Sequence, residues 1–140
     1  MRSLLLAVAG TLLVAPLANA QDAEEAAIRA TLEHYLQGHA TGDGAHFQAA
    51  FHPVANLYWI VGDTLAQRTG AAYIAGAPGR PAPDEAQRKR RIMHIDYTGT
   101  AAVAKIELDY PSVRFVDYMS LLKVGGEWKI VNKIFVRESK

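Results

Sequence analysis

The chain has 140 residues, with 15 Lys and Arg against 14 Asp and Glu. It contains no cysteine, which excludes disulfides, zinc–cysteine sites and thiol nucleophiles. Setting aside Arg2, which falls in a leader, the charges balance, without the basic excess that nucleic-acid binders carry.

Residues 1–20 read as a cleavable secretion signal. Met1 and Arg2 give a short positive start, positions 3–14 are almost wholly apolar, and Pro16 breaks the run before the small-x-small Ala18-Asn19-Ala20. The apolar run is shorter than the roughly 20 residues a spanning helix needs. An uncleaved anchor is the competing reading. Cleavage after Ala20 predicts a periplasmic or secreted protein with no membrane attachment and one domain over residues 21–140, a common domain size.

Asp22, with Glu25 three positions on, has capping-box spacing for a first helix. Ile28, Leu32, Tyr35, Leu36 and His39 then form an apolar stripe at helical spacing. Gly38 and Gly42 mark its end. Asp43 caps a shorter helix bearing Phe47, Ala50 and Phe51. Pro53 stops it and pushes His52 toward extended geometry. Positions 56–61 read as a strand, Gly62-Asp63 as a turn and 64–68 as a returning strand. Thr69 caps a short helix at 70–75. Positions 76–87, with two glycines and three prolines, form a loop long enough to act as a lid or an edge cover.

Positions 90–98, 101–110, 113–124 and 128–137 all read as strands, joined by turns at Thr98-Gly99-Thr100, at Pro111-Ser112 and at Gly125-Gly126. Sequential hairpins give an antiparallel meander, and helices first with strands later argue an α+β class. A wide twisted sheet must cover its concave face, and the first helix is the main cover available. The result is a cone with a cavity at its open end.

This order of elements resembles the nuclear transport factor 2-like superfamily, which includes ketosteroid isomerases and polyketide cyclases. The stretch from Tyr35 through Gly38, His39 and Gly42 to Asp43 is similar to the putative lumazine-binding family. So are Phe51-His52-Pro53, the run from Ile92 to Asp96, the run from Asp117 through Tyr118, Met119 and Ser120 to Lys123, and the run from Trp128 to Lys133. The resemblance implies a cone-shaped α+β barrel, a curved antiparallel sheet wrapped around a long N-terminal helix. It also implies a homodimer packed through the outer sheet face. It implies no settled activity, because the fold hosts isomerases, cyclases, dehydratases and pure binders.

Asp117 is the most informative residue for chemistry. Alternation places it with Val113, Phe115, Met119 and Leu121, so the carboxylate must be solvated by a cavity, paired or protonated. Lys133 and Asn132 interrupt the last strand on opposite faces, and alternation does not fix which points inward. Lys133 either pairs with Asp117, holds an anionic ligand, or faces outward at a dimer contact, the reading the pattern favours. His39 is a ligand contact or a histidine satisfied at a helix C-terminus. His52 lines the mouth or packs beneath the helix–strand corner. Tyr35, Tyr58 and Trp59 offer flat apolar surface with polar tips, and of the adjacent pair Tyr58 and Trp59 at most one lines the interior.

The basic run Arg88-Lys89-Arg90-Arg91 reads as a solvated face or an edge guard. The five histidines lack the close spacing of a metal site, and no cofactor motif is present. The expectation is an exported protein that binds a small, aromatic or partly apolar organic molecule at Tyr35, His39, His52, Tyr58, Asp117 and Lys133. The alternatives are an isomerase, cyclase or dehydratase using Asp117 or a histidine as general base, and a structural or partner-binding dimeric module.

Overall fold

A 25-residue helix, α1 (Leu17–Thr41), buries the expected stripe of Ile28, Leu32, Tyr35 and Leu36. The structure, a computed structural model, describes residues 17–140. Most of the leader reading, residues 1–16, lies outside the described residues. Asp22 does not cap α1, because the helix already runs through it from Leu17. Gly38 does not end it either. A Cβ there would meet ring atoms of Phe47 at 2.5–2.8 Å, so glycine lets α2 (Gly44–Ala50) pack directly against α1. The helix stops at Thr41, and Gly42 follows with φ +72°. Asp43 then caps α2, its side chain accepting from Ala45 N–H at 2.8 Å.

The first strand starts earlier than its composition suggests. β1 (Phe51–Val61) begins at the residue after α2 and carries Pro53 within it. Proline is tolerated there because pairing with the last strand is irregular between Phe51 and Asn56. β2 (Thr64–Thr69) returns antiparallel, and Thr69 caps α3 (Gly70–Ala75) as expected. Residues 76–88 then cross the end of α1. Gly79 N–H donates to Gly42 C=O at 2.8 Å, and Arg90 ties Glu85, in a 3-10 turn (Glu85–Gln87), to the His39 carbonyl.

Four strands follow: β3 (Lys89–Thr98), β4 (Ala101–Asp109), β5 (Val113–Val124) and β6 (Glu127–Ser139). They meander antiparallel, and β6 pairs parallel with β1, giving a curved sheet of order β2-β1-β6-β5-β4-β3. The helices lie on its inner face, as an α+β cone requires. The core joins the α1 stripe to Leu57, Ile106, Leu108, Met119, Leu121 and Ile130. Glu24 fastens α1 to the sheet by accepting from Lys123 Nζ at 2.5 Å and from Trp128 Nε1 at 2.9 Å.

Strict alternation fails in β6. Ser120 pairs with Asn132 but Leu121 pairs with Ile130, so Val131 is an extra, bulged residue. Trp128 and Ile130 point inward before it, and Lys133 and Phe135 after it. Alternation had put these two pairs on opposite faces. The bulge therefore settles the Asn132–Lys133 question. Asn132 faces out beside Tyr118 and Ile134, and Lys133 faces in, not toward an outer contact. A second bulge at Met93 re-phases β3 in the same way. In the basic run, Arg88 pairs with Asp84 just before β3, and Arg90 pairs with Glu85 and Arg91 with Glu107 on β3, which forms a sheet edge.

Candidate functional site

Three polar side chains from three elements meet beneath the inner sheet face. Tyr35 from α1 donates its hydroxyl hydrogen to Asp117 Oδ2 at 2.6 Å. Lys133 Nζ donates to the same Tyr35 oxygen at 2.7 Å and lies 3.1 Å from Asp117 Oδ1. Asp117 has no exposed surface and Lys133 only 4%. Oδ1 has no aligned hydrogen bond among the described residues, so the ion pair alone compensates it. Burial pulls the Lys133 ammonium below the usual lysine range, with Asp117 opposing the shift. Burial, followed by the Asp117 charge, pushes the Tyr35 hydroxyl well above its ordinary value, which keeps it a donor. The Lys133 ammonium also lies 4.6 Å from the Phe135 ring centre, 5.0 Å from Tyr35 and 5.5 Å from Tyr73. Cation–π attraction adds to the ion pair at such distances.

Above this network opens a cavity of about 330 Å³. Its apolar walls are Leu57, Trp59, Leu108, Phe115 and Phe135, and its polar lining is His39, Tyr73, Arg68, Lys133 and Arg137. The Tyr73 hydroxyl lies 2.9 Å from His39 Nε2, joining α3 to α1. Burial, with Lys133, Arg90 and Arg88 nearby, holds the imidazole well below its ordinary value. His39 is therefore neutral near pH 7 and can act as a donor or acceptor. Beyond this pair lies a second hollow of about 430 Å³, bounded by Gly38, Gly42, Phe47 and residues of the 76–88 segment, including Arg80. It shares His39, Arg68 and Tyr73 with the first. Among the described residues, Arg68, Arg80 and Arg137 have no carboxylate within salt-bridge reach.

The family described as "Putative lumazine-binding" matches residues 23–136. The chain belongs to that family. Among solved structures, an NTF2-like protein of unknown function from Shewanella baltica OS155 superposes with TM-score 0.76 at 30% identity. The match covers 85% of this chain and 97% of that one. A second NTF2-like protein of unknown function, from Methylobacillus flagellatus KT, gives TM-score 0.67 at 28% identity over 92% of this chain and 99% of that one. Among characterised proteins, the aldolase FrzH of Cladobotryum sp. is 26% identical over 111 residues, 78% of this chain and 87% of that protein.

Within this fold, the six residues singled out by sequence part company. His39 and Lys133 line the cavity. Asp117 and Tyr35 are buried behind Lys133 and bonded to it, and neither lines the cavity. Tyr58 is not on the inner wall. It faces out with Tyr118 and Ile134, and its neighbour Trp59 takes the interior position. His52 stays at the start of β1, its Nδ1 accepting from Val54 N–H at 3.3 Å, apart from both hollows. Sequence reasoning missed Tyr73, Arg68 and Arg137. Phe135 was legible once Lys133 was known to point inward, because the two share a strand face.

Proposed function

We propose that this chain is an exported protein whose inner cavity binds a small organic anion with an aromatic or apolar body. The carrying observation is the lining itself. Aromatic and aliphatic walls surround Lys133, Arg68 and Arg137, and among the described residues no carboxylate lines the cavity. Apolar walls with a few convergent polar groups suit small-molecule recognition, and a guanidinium fork suits a carboxylate. Trp59 reports on occupancy, since Trp128, the other tryptophan, is buried beneath α1. Titration with benzoate, cinnamate and 2-naphthoate is expected to change tryptophan fluorescence in the wild type and not in Trp59→Phe. Arg68→Gln with Arg137→Gln is expected to weaken binding at least tenfold. Equal binding of the uncharged methyl esters, or no response at millimolar acid, overturns the reading.

Export rests on the leader pattern of residues 1–20. Gln21, the first residue past the cleavage point, has its carbonyl held by the Tyr97 hydroxyl at 2.8 Å, so a chain starting there keeps its anchor. The mass of protein recovered from outside the cytoplasm is expected to match residues 21–140. A homodimer through the outer sheet face is supported by the exposed apolar side chains Val103, Tyr118, Leu122, Ile134 and Val136.

A second reading, an enzyme acting on carbonyl compounds in the manner of an isomerase or aldolase, is favoured by the neutral His39 beside Tyr73 on the cavity wall and by the FrzH resemblance. His39 would be the general base. Asp117, out of reach behind Lys133, would position that lysine. Turnover of enolisable ketones that is lost in His39→Gln supports this reading, and turnover unchanged in that variant removes it.

A further inference from the structure

We propose that Lys133 is a covalent capture point for aldehydes or ketones, forming a protonated imine whose charge is held by Asp117. The proposal rests on the anion-binding reading of the cavity and adds a bond-forming step to it. A lysine at the wall of a largely apolar cavity is placed to meet a carbonyl carbon, and most of its charge-stabilising contacts lie on the side away from the cavity. One N–H goes to Tyr35 and a second faces Asp117 Oδ1, which leaves the third without a hydrogen-bond partner among the described residues, on a side chain that lines the cavity. Desolvation favours the neutral amine, the nucleophilic form.

The chemistry closes on itself. Lys133 in its ammonium form passes one proton to Asp117 Oδ1, the buried acceptor without an aligned hydrogen bond. The freed nitrogen lone pair forms the C–N bond, and the C=O π electrons move to oxygen. A second nitrogen proton moves to that oxygen, giving a neutral carbinolamine. Asp117 then returns its proton to the nitrogen, a nitrogen proton passes on to the hydroxyl, the C–O bond breaks with loss of one water, and the nitrogen lone pair closes the C=N bond. Lysine-NH3+ plus a carbonyl has become lysine-NH+=C plus water. The net charge is unchanged and no redox partner is needed. Asp117 returns to a carboxylate facing a cation, so the ion pair that stabilises the free protein also stabilises the adduct. The arginines leave room for a carboxylate elsewhere on the same molecule, which points to aromatic or apolar oxo-acids as the ligand class.

The test uses the whole protein with 4-carboxybenzaldehyde and sodium cyanoborohydride at pH 7, read by intact mass and peptide mapping. The expected product gains the aldehyde less one oxygen atom. It maps to Lys133 and forms at least tenfold faster there than at the exposed Lys89. Excess 4-methylbenzoate, which has the acid but no carbonyl, is expected to slow labelling of Lys133 and leave Lys89 unaffected. Mapping in the wild type decides the matter even if Lys133→Met folds poorly. Where that variant folds, the fast adduct is expected to vanish. Label confined to exposed lysines and the α-amino group overturns the proposal. If 4-methylbenzoate still changes Trp59 fluorescence in that case, the binding reading survives alone. If it does not, both fall.

Discussion

Replacing Lys133 with methionine removes one partner of an ion pair in which Asp117 has no exposed surface. Methionine approximates the lysine stem, so little of the loss is packing. What remains is a carboxylate that has lost its only counter-ion among the described residues and keeps one hydrogen bond, from Tyr35. Breaking a buried pair from one side costs about 3–5 kcal/mol, and that is a large share of the roughly 5–15 kcal/mol stability of a single domain. Asp117→Asn in the same background removes the stranded charge and keeps an oxygen for the Tyr35 hydroxyl. The double variant is therefore expected to be more stable than Lys133→Met alone, by about 2 kcal/mol or more. Urea unfolding at pH 7, at one protein concentration and with all four members of the cycle, measures this directly. A coupling below about 0.5 kcal/mol would show that the two groups do not sense each other, and the assignment of Asp117 as the holder of Lys133 would be wrong.

His39 carries a pH signature. Its folded-state value is depressed by burial and by nearby positive charge, so below about pH 6.5 the unfolded chain binds a proton that the folded protein refuses. Stability present above that pH is lost as the pH falls, and His39→Gln is expected to flatten the slope below about pH 6.5; an unchanged slope refutes the assignment. Gly42→Ala forces a side chain into φ +72° with its Cβ 2.1 Å from the Arg80 carbonyl oxygen. Strain and overpacking together predict a loss of about 2–5 kcal/mol in chemical unfolding, and a neutral result would place the 76–88 segment elsewhere. Ile134→Glu, on the outer face, is expected to leave the fold and the Trp59 response intact while shifting sedimentation from dimer to monomer. Monomeric wild-type protein at tens of micromolar would refute the interface.

Much of the architecture is written in local signals. The α1 stripe, the caps Asp43 and Thr69, and the turns at Gly99 and Gly125 fix where elements begin and end. β5 has the predicted bounds, and its face containing Asp117 is the inner one. The site was legible only in part, because its geometry depends on pairings that no single segment carries. Asp117 and Lys133 could be named as partners, but whether the carboxylate would meet solvent depended on Tyr35 closing over it from a helix 82 residues away. Tyr73 lies on a six-residue helix too short for a periodicity, so nothing in its neighbours marks it as a wall. Tyr58 and Trp59 differ by one position, and only the register against β6 decides between them.

The extra residue at Val131 has an effect beyond direction. Taking it out would leave Trp128, Ile130, Lys133 and Phe135 on the same side, since ordinary alternation would then link them without interruption. What would go is the crease, because a bulge bends its strand and sharpens the local twist. With Met93 in β3 and the mismatch in β1, three of the six strands carry such a crease. Depth and reactivity are thus separable here: a shortened β6 would keep the same inward-facing chemistry on a flatter floor, and the hollow would grow shallower without losing a single polar group.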